Sequence, residues 1–315
     1  MKLEGDDYMK NDFKYIVDNS KYVRIDEAKI DDFVQKMDNI KYQHWSHEYD
    51  LKLNEKEWIL LCLIIESMNF CFWKEPKWKV QHNNEIITGS NALFCSVVKE
   101  VKRNKEFLNL DYLNQLNYDN FIKIFEGIEG ECPYLKKRYK NFKDSIKYLK
   151  KNDFYGEIFS IKSDIELINY IVSHFKSFDD KSIYKNKVIH FNKRATLLAN
   201  DFYYMSPTIR ENVLDMNHLS GCADYGIPRT FRDYGLMIYN DELASRVDNK
   251  KLIPHDSEME IEIRGNMLYL IERIKEKLHK KGIDINSVEL DNIIWLMGKK
   301  MKNRSNSHHT ITIYY

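Results

Sequence analysis

Residues 219–228 read Leu-Ser-Gly-Cys-Ala-Asp-Tyr-Gly-Ile-Pro and set one acid, Asp224, among small and apolar neighbours. Gly221 and Gly226 flank it and permit backbone shapes that other residues avoid. Pro228 suits the first turn of a helix, where its missing N–H costs nothing. The spacing predicts that Asp224 lies in a tight turn just ahead of a helix N-terminus, where the helix dipole favours an ionised carboxylate. Such an acid either caps the helix or stands as a fixed anion facing a ligand. Asp291 is the second informative acid. It shares a helical stripe with Val288, Ile294 and Trp295. A carboxylate there costs on the order of several kcal/mol unless it is paired. It therefore meets a lysine or arginine inside the fold, or it awaits a ligand. Lys193 and Arg194 open an amphipathic run and read either as a solvated basic pair or as part of a site. His47, in His44-Trp-Ser-His-Glu, is a surface or structural histidine unless a ligand brings it in. Cys222 has no matched histidine and orienting residue, so a nucleophilic role is not expected of it.

The elements that must position these groups are helical. Ile30, Phe33, Val34 and Met37 mark a helix over about 26–38, and Asn54 with Glu57 forms a capping box opening an apolar helix over 55–69. A polar stretch over 74–88 has room for a short hairpin. Ala92, Leu93, Val97, Val98 and Val101 mark another helix. Leu135, Tyr139, Phe142, Ile146 and Leu149 stripe a long basic one. Ser163 with Glu166, Ser257 with Glu260 and Asn286 with Glu289 read as three further capping boxes. Gly282 closes the helix that Ser257 opens. Residues 188–191 are a short strand or extended connector, 194–205 a helix stopped by Pro207, and the tail from 303 is extended. Arg264 is expected to pair with Glu260 or Glu262. With no repeat or linker, the expectation is one mainly α unit over residues 1–315 with minor extended segments. A lobe of about residues 1–130 would pack on a helical core of about 131–315.

Composition sets the outer limits. The chain is 43% hydrophobic, enough for a sizeable core. Its 49 basic and 48 acidic residues leave a net charge of +1, which argues against a protein built to grip nucleic-acid backbone but allows a small phosphorylated ligand. Five cysteines without a C-x-x-C spacing indicate neither a disulfide framework nor a zinc site, and point to a reducing cytoplasm. No metal or cofactor is expected. The first seven residues are charged and read as no secretory signal. The apolar run over 58–73 is broken by Glu66 and Asn69 and is too short and polar to span a bilayer.

Five blocks recur in a telling order: Met68-Asn-Phe-Cys-Phe-Trp73, then Val-Ile-His-Phe-Asn-Lys-Arg-Ala-Thr-Leu-Leu-Ala-Asn-Asp over 188–201, the Asp224 stretch, Ser257-Glu-Met-Glu-Ile-Glu-Ile-Arg264-Gly, and a terminal Ile-Tyr-Tyr315. In order and spacing they resemble the queuosine salvage protein family, the queuosine 5′-phosphate N-glycosylases, whose pattern runs N-F-x-F-W, K-R-A-Q, F-A-D-Y-R-x-P-Q, E-x-E-I-R and Y-Y. The resemblance covers about residues 10–315. It implies a helical fold akin to the helix-hairpin-helix DNA glycosylases. The implied activity is hydrolysis of the N-glycosidic bond of queuosine 5′-monophosphate to queuine and ribose 5-phosphate, by a cytoplasmic monomer without metal. It implies that Asp224 serves the sugar and that Asp291, Asn292 and His47 serve the base, since a guanine-like base offers N–H donors that a carboxylate accepts. Lys193 and Arg194 would lie beside the active site, toward phosphate or Asp224. Cys222 stands where the family has a stacking phenylalanine, which shifts that work to Tyr225 or Trp295. Gly226, Arg229, Leu296 and the tail His308-His-Thr-Ile depart from the pattern, so polar contacts are expected to be rearranged. A glycosylase of nucleic acid and a non-catalytic queuosine-binding protein are the competing readings.

Overall fold

The structure is a computed structural model that describes residues 7–37 and 41–315, with side chains from Asn11 onward. The opening residues read as lacking a secretory signal, and the end of the helix expected over 26–38, lie outside the described residues. The chain is mainly helical. Its helices are α1 (Asp7–Asn19), α2 (Ile30–Gln35), α3 (Glu55–Met68), α4 (Gly89–Arg103), α5 (Leu110–Gln115), α6 (Tyr118–Lys123), α7 (Leu135–Lys151), α8 (Phe154–Phe159), α9 (Asp164–His174), α10 (Lys193–Met205), α11 (Pro207–Asn212), α12 (Gly226–Asp233), α13 (Asp241–Asp248), α14 (Glu258–Lys280) and α15 (Ser287–Lys300). The strands β1 (Val23–Ile25), β2 (Lys79–His82), β3 (Glu85–Thr88), β4 (Lys181–Tyr184), β5 (Lys187–His190) and β6 (Met237–Tyr239) form antiparallel pairs β1–β6, β2–β3 and β4–β5. No described helix is long and apolar enough to cross a membrane.

Local chemistry explains the main boundaries. Asn54 accepts the Glu57 N–H at 3.0 Å and Glu57 accepts the Asn54 N–H at 2.8 Å, closing the expected box at the start of α3. Asn286 and Glu289 do the same for α15. The boxes expected at Ser163 and Ser257 are half formed. Each serine caps its helix, but Glu166 takes the Lys162 N–H at 2.9 Å and Glu260 takes the Asp256 N–H at 3.3 Å, one residue before the cap. Every residue of α3 from Ile59 to Met68 is buried, as its nearly unbroken apolar sequence requires.

The buried apolar side chains form two clusters. The first runs from Tyr49 to Cys222, joined by Val288, and is built mainly on α3, α4, α7, α9 and α10. The second gathers α1, α2, β4–β5, α12, α14 and most of α15. The seam between them passes through the Asp224 stretch, because Cys222 belongs to the first cluster and Ala223 to the second. It also splits α15, with Val288 in the first and Leu290 in the second.

A buried charged network ties the seam together. Arg264 on α14 pairs with Asp180 at 2.5 Å and Glu260 at 3.4 Å, and its Nε donates to the Ala223 carbonyl at 3.1 Å. Glu262, the other expected partner, instead accepts the Tyr22 N–H at 2.6 Å. The extended tail ends inside this network. The Tyr315 hydroxyl donates to Glu260 at 2.7 Å, its ring lies over the Arg264 guanidinium, and its carbonyl accepts the Cys71 N–H at 2.8 Å.

Candidate active site

Of the two readings that its sequence left open, the capping one is seen at a single oxygen of Asp224. Oδ1 accepts the N–H of Gly226 at 2.7 Å and of Ile227 at 3.0 Å, so it caps α12. Oδ2 accepts no hydrogen bond among the described residues, and the side chain is half-buried. The two flanking glycines do not act through unusual backbone angles as expected, since neither has a positive φ. They act through close approach. A Cβ on Gly221 would lie 2.5 Å from Ile271 Cδ1 and 3.1 Å from Asp291 Oδ1. A Cβ on Gly226 would lie 3.3 Å from Trp295 Cδ1 and 3.4 Å from Asp224 Oδ2.

Those contacts bring α15 onto the loop. Asp291 is buried, and its Oδ1 accepts the Cys222 N–H at 2.8 Å. Burial, reinforced by the nearby Asp224 charge, holds its carboxyl well above the usual carboxylate range. Lys193, at the start of α10, lies within electrostatic range of Asp291, Cys222 and Glu66. Its ammonium is buried and makes no ion pair or hydrogen bond among the described residues. Its backbone N–H donates to Asp180 at 3.2 Å, which joins it to the Arg264 network. Cys222 contributes its backbone N–H. Its thiol is pushed far up by burial and by Asp291, so it is no nucleophile. The Asn292 Oδ1 is buried without a partner.

The aromatic positions divide. Trp295 packs on Gly226 and carries the Lys299 ammonium 3.7 Å from its ring centre. Burial and then Asp224 raise the Tyr225 phenol. The two histidines flank Tyr204. His47 is exposed and its Nε2 meets the Tyr204 hydroxyl. His44 is buried, stacked on the Tyr204 ring at 4.1 Å, with its Nε2 2.9 Å from Asp201 Oδ1. The bonds of Arg194 run into the fold. Its guanidinium donates to the carbonyls of Glu66, at 2.7 Å, and Ser177, and lies over Phe178.

Glu66 is the residue that the sequence reading missed. It is buried on α3, and Asn69 Nδ2 donates to it at 2.9 and 3.1 Å. Burial and the neighbouring Asp201 lift its carboxyl to about 8. The available signal is a lone acid in an apolar run. Among the described residues, two groups carry donor atoms close enough to share an ion, Asp164–Asp215–His218 and His255–Asp256–Glu260, and neither contains Asp224, Asp291 or Glu66.

The assembly thus offers an anion with one open oxygen, a second buried acid beside a buried ammonium, and an aromatic wall. A fixed anion of this kind suits a reaction that develops positive charge on its substrate. The profile of a family described as queuosine salvage protein matches residues 46–315. Relatives named queuosine 5′-phosphate N-glycosylase/hydrolase include the protein of Sphaerobacter thermophilus, 26% identical over 279 residues, which span 86% of this chain and 84% of that one. Those of Nematostella vectensis and Dictyostelium discoideum are also 26% identical, covering 87% and 94% of this chain and 87% and 95% of their own.

Proposed function

Because the chain belongs to the queuosine salvage protein family, we propose that it hydrolyses the N-glycosidic bond of queuosine 5′-monophosphate, releasing queuine and ribose 5-phosphate. The observation that carries this reading is the split use of Asp224, one oxygen locked by α12 and the other open. Glycosidic cleavage passes through an oxocarbenium-like state. A carboxylate already fixed beside the sugar stabilises that charge without reorganising at the moment of reaction. Queuine is a 7-deazaguanine and has no N7 to protonate, so the sugar cation and the bonds to the departing base carry the barrier lowering. Asp291, Asn292 and His47 are assigned to the base, and Trp295 to its edge or face. Tyr225 supports the loop from below, and Cys222 holds Asp291 through its N–H. Lys193 places a positive charge beside the departing base.

Asp291 gives base binding a pH dependence. Accepting two base N–H groups favours its ionised form, whereas burial favours the neutral one. Base binding is therefore coupled to loss of a proton from Asp291.

The finer features follow the same reading. The helical domain is akin to that of the helix-hairpin-helix glycosylases. The whole chain acts as one unit, an N-terminal lobe on a C-terminal core, and as a monomer. Its partner is a small nucleotide and not nucleic acid, consistent with a net charge of +1. Five free, buried thiols suit the cytoplasm. The test is mass spectrometry of free queuine after incubation with queuosine 5′-monophosphate, queuosine or guanosine 5′-monophosphate. Release from the first and none from the last is expected. No release from any of them overturns the assignment.

A further inference from the structure

A serine, a histidine and an aspartate are hydrogen-bonded in series at the start of the 3-10 turn Trp45–Glu48. Ser46 Oγ lies 2.8 Å from His44 Nδ1, and His44 Nε2 lies 2.9 Å from Asp201 Oδ1. The backbone decides which ring nitrogen carries the proton. The Ser46 N–H points at His44 Nδ1 from 3.3 Å, and an N–H can only donate. Nδ1 is therefore the acceptor, and the neutral ring carries its hydrogen on Nε2. The Ser46 hydroxyl then donates to Nδ1, and the Nε2–H is donated to Asp201. The order is nucleophile, base and orienting acid, with the outer two on opposite nitrogens of the ring.

Capping the turn accounts for part of this arrangement but not for all of it. The cap needs only Nδ1 and the Ser46 N–H, not a hydroxyl at 46. A buried Nε2–H needs an acceptor, yet a carbonyl would serve, whereas a carboxylate also stabilises the ring when it gains a proton. The imidazole is held in place: His44 is buried and stacked on the Tyr204 ring at 4.1 Å. Asp201 is held too, because the same Oδ1 accepts the Trp45 indole N–H at 3.1 Å. Ser46 keeps 7% of its surface, between the exposed His47 and Glu48, so a small reagent can reach it. The Trp45 indole, packed on Phe94 at 5.1 Å, offers an apolar wall beside the serine, and the neighbouring Glu48 disfavours an anion. Asp201 follows Lys193 by eight residues on α10, about 12 Å along the helix, so this group is separate from the one around Asp224 and Asp291.

We propose that Ser46, His44 and Asp201 form a second reactive centre, in which Ser46 is a nucleophile toward small, neutral carboxylic esters. Ser46 Oγ bonds to the ester carbonyl carbon while its proton passes to His44 Nδ1. The bond from that carbon to the alkoxy oxygen breaks, and the leaving oxygen takes the proton back from Nδ1. Water then attacks the acyl-serine, giving a proton to Nδ1, and the acid leaves as Ser46 recovers its hydrogen. Asp201 is the positioning residue, which keeps the hydrogen on Nε2 and steadies the protonated ring.

The experiment treats the full chain with a small alkyl fluorophosphonate, maps the adduct by peptide mass spectrometry, and follows hydrolysis of p-nitrophenyl acetate. Wild type is expected to gain one phosphonyl group on Ser46 and to turn over the ester. Ser46→Ala, which loses only a local hydrogen bond, should lose both. Asp201→Asn should slow labelling by about 100-fold or more, because the wrong ring nitrogen then carries the hydrogen. A folded wild type that gains no adduct on Ser46 overturns the proposal and leaves His44 as a cap. Equal ester turnover in wild type and Ser46→Ala overturns it as well, whatever the fate of the Asp201 variant. So does labelling at an undiminished rate in Asp201→Asn, since the serine would then react without its relay.

Discussion

Asp224 and Asp291 are both acids at the same seam, yet their surroundings differ. Asp224 is held by two backbone N–H groups with one oxygen open, while Asp291 is buried against the Cys222 N–H and feels Asp224 as a like charge. Free queuine is expected to bind more tightly as pH rises toward the raised Asp291 value, by about tenfold per unit, because the ionised acid is the binding form. Calorimetry in two buffers of different ionisation enthalpy should read about one proton released per queuine bound. Asp291→Asn should bind weakly and without that slope; the same slope in the variant would assign the proton elsewhere. Both acids were legible because their signals are local, Pro228 and the glycines for one and a helical stripe for the other. Glu66 was not, since its meaning comes from Asp201 and Lys193, which only the packing of α10 on α3 brings near it.

At the scale of elements, α3 carries that buried acid through an apolar helix. Its folded value of about 8 stands above the ordinary 4.5. A raised acid contributes stability that is fully present below about 4.5 and is lost as pH rises through about 8. Denaturant unfolding of the ligand-free protein should show stability declining by on the order of a few kcal/mol across that window from this group. Glu66→Gln should flatten the decline, and identical slopes in the two proteins would contradict it. Asn54→Ala should remove the α3 capping box and cost about 1 kcal/mol with KM unchanged. Capping boxes and long stripes were readable from sequence, as α3, α7, α14 and α15 show. Of the six-residue helices, α2 is marked by the stripe that Ile30, Phe33 and Val34 begin, whereas α5, α6, α8 and α11 are too short to establish a period. The buried face of α1 is defined by α14, far along the chain, so its role in the second cluster was not visible locally.

For the whole molecule, the decisive feature is that the candidate site lies where two apolar clusters meet, with a buried ion network and Tyr315 fastening them. Tyr315→Phe would leave the buried Glu260 short of a donor and should lower stability by about 1–3 kcal/mol, read from the denaturation midpoint. An unchanged midpoint would show that the tail is not a fastener. The family blocks in the sequence mark this seam, because the Trp73, Lys193, Asp224, Arg264 and Tyr315 segments meet there through Arg264, Asp180 and Cys71. What the blocks did not show is that both members of the basic pair are buried, Arg194 against two carbonyls.

The central claim is that Asp224 stabilises the sugar cation. Asp224→Asn tests it most directly, because an asparagine oxygen can still accept the Gly226 and Ile227 N–H groups and keep α12 capped. Steady-state release of queuine from queuosine 5′-monophosphate should show kcat reduced by about 100- to 1,000-fold or more with KM little changed. A kcat within about tenfold of wild type, in a variant that is folded and binds the nucleotide, would contradict the account.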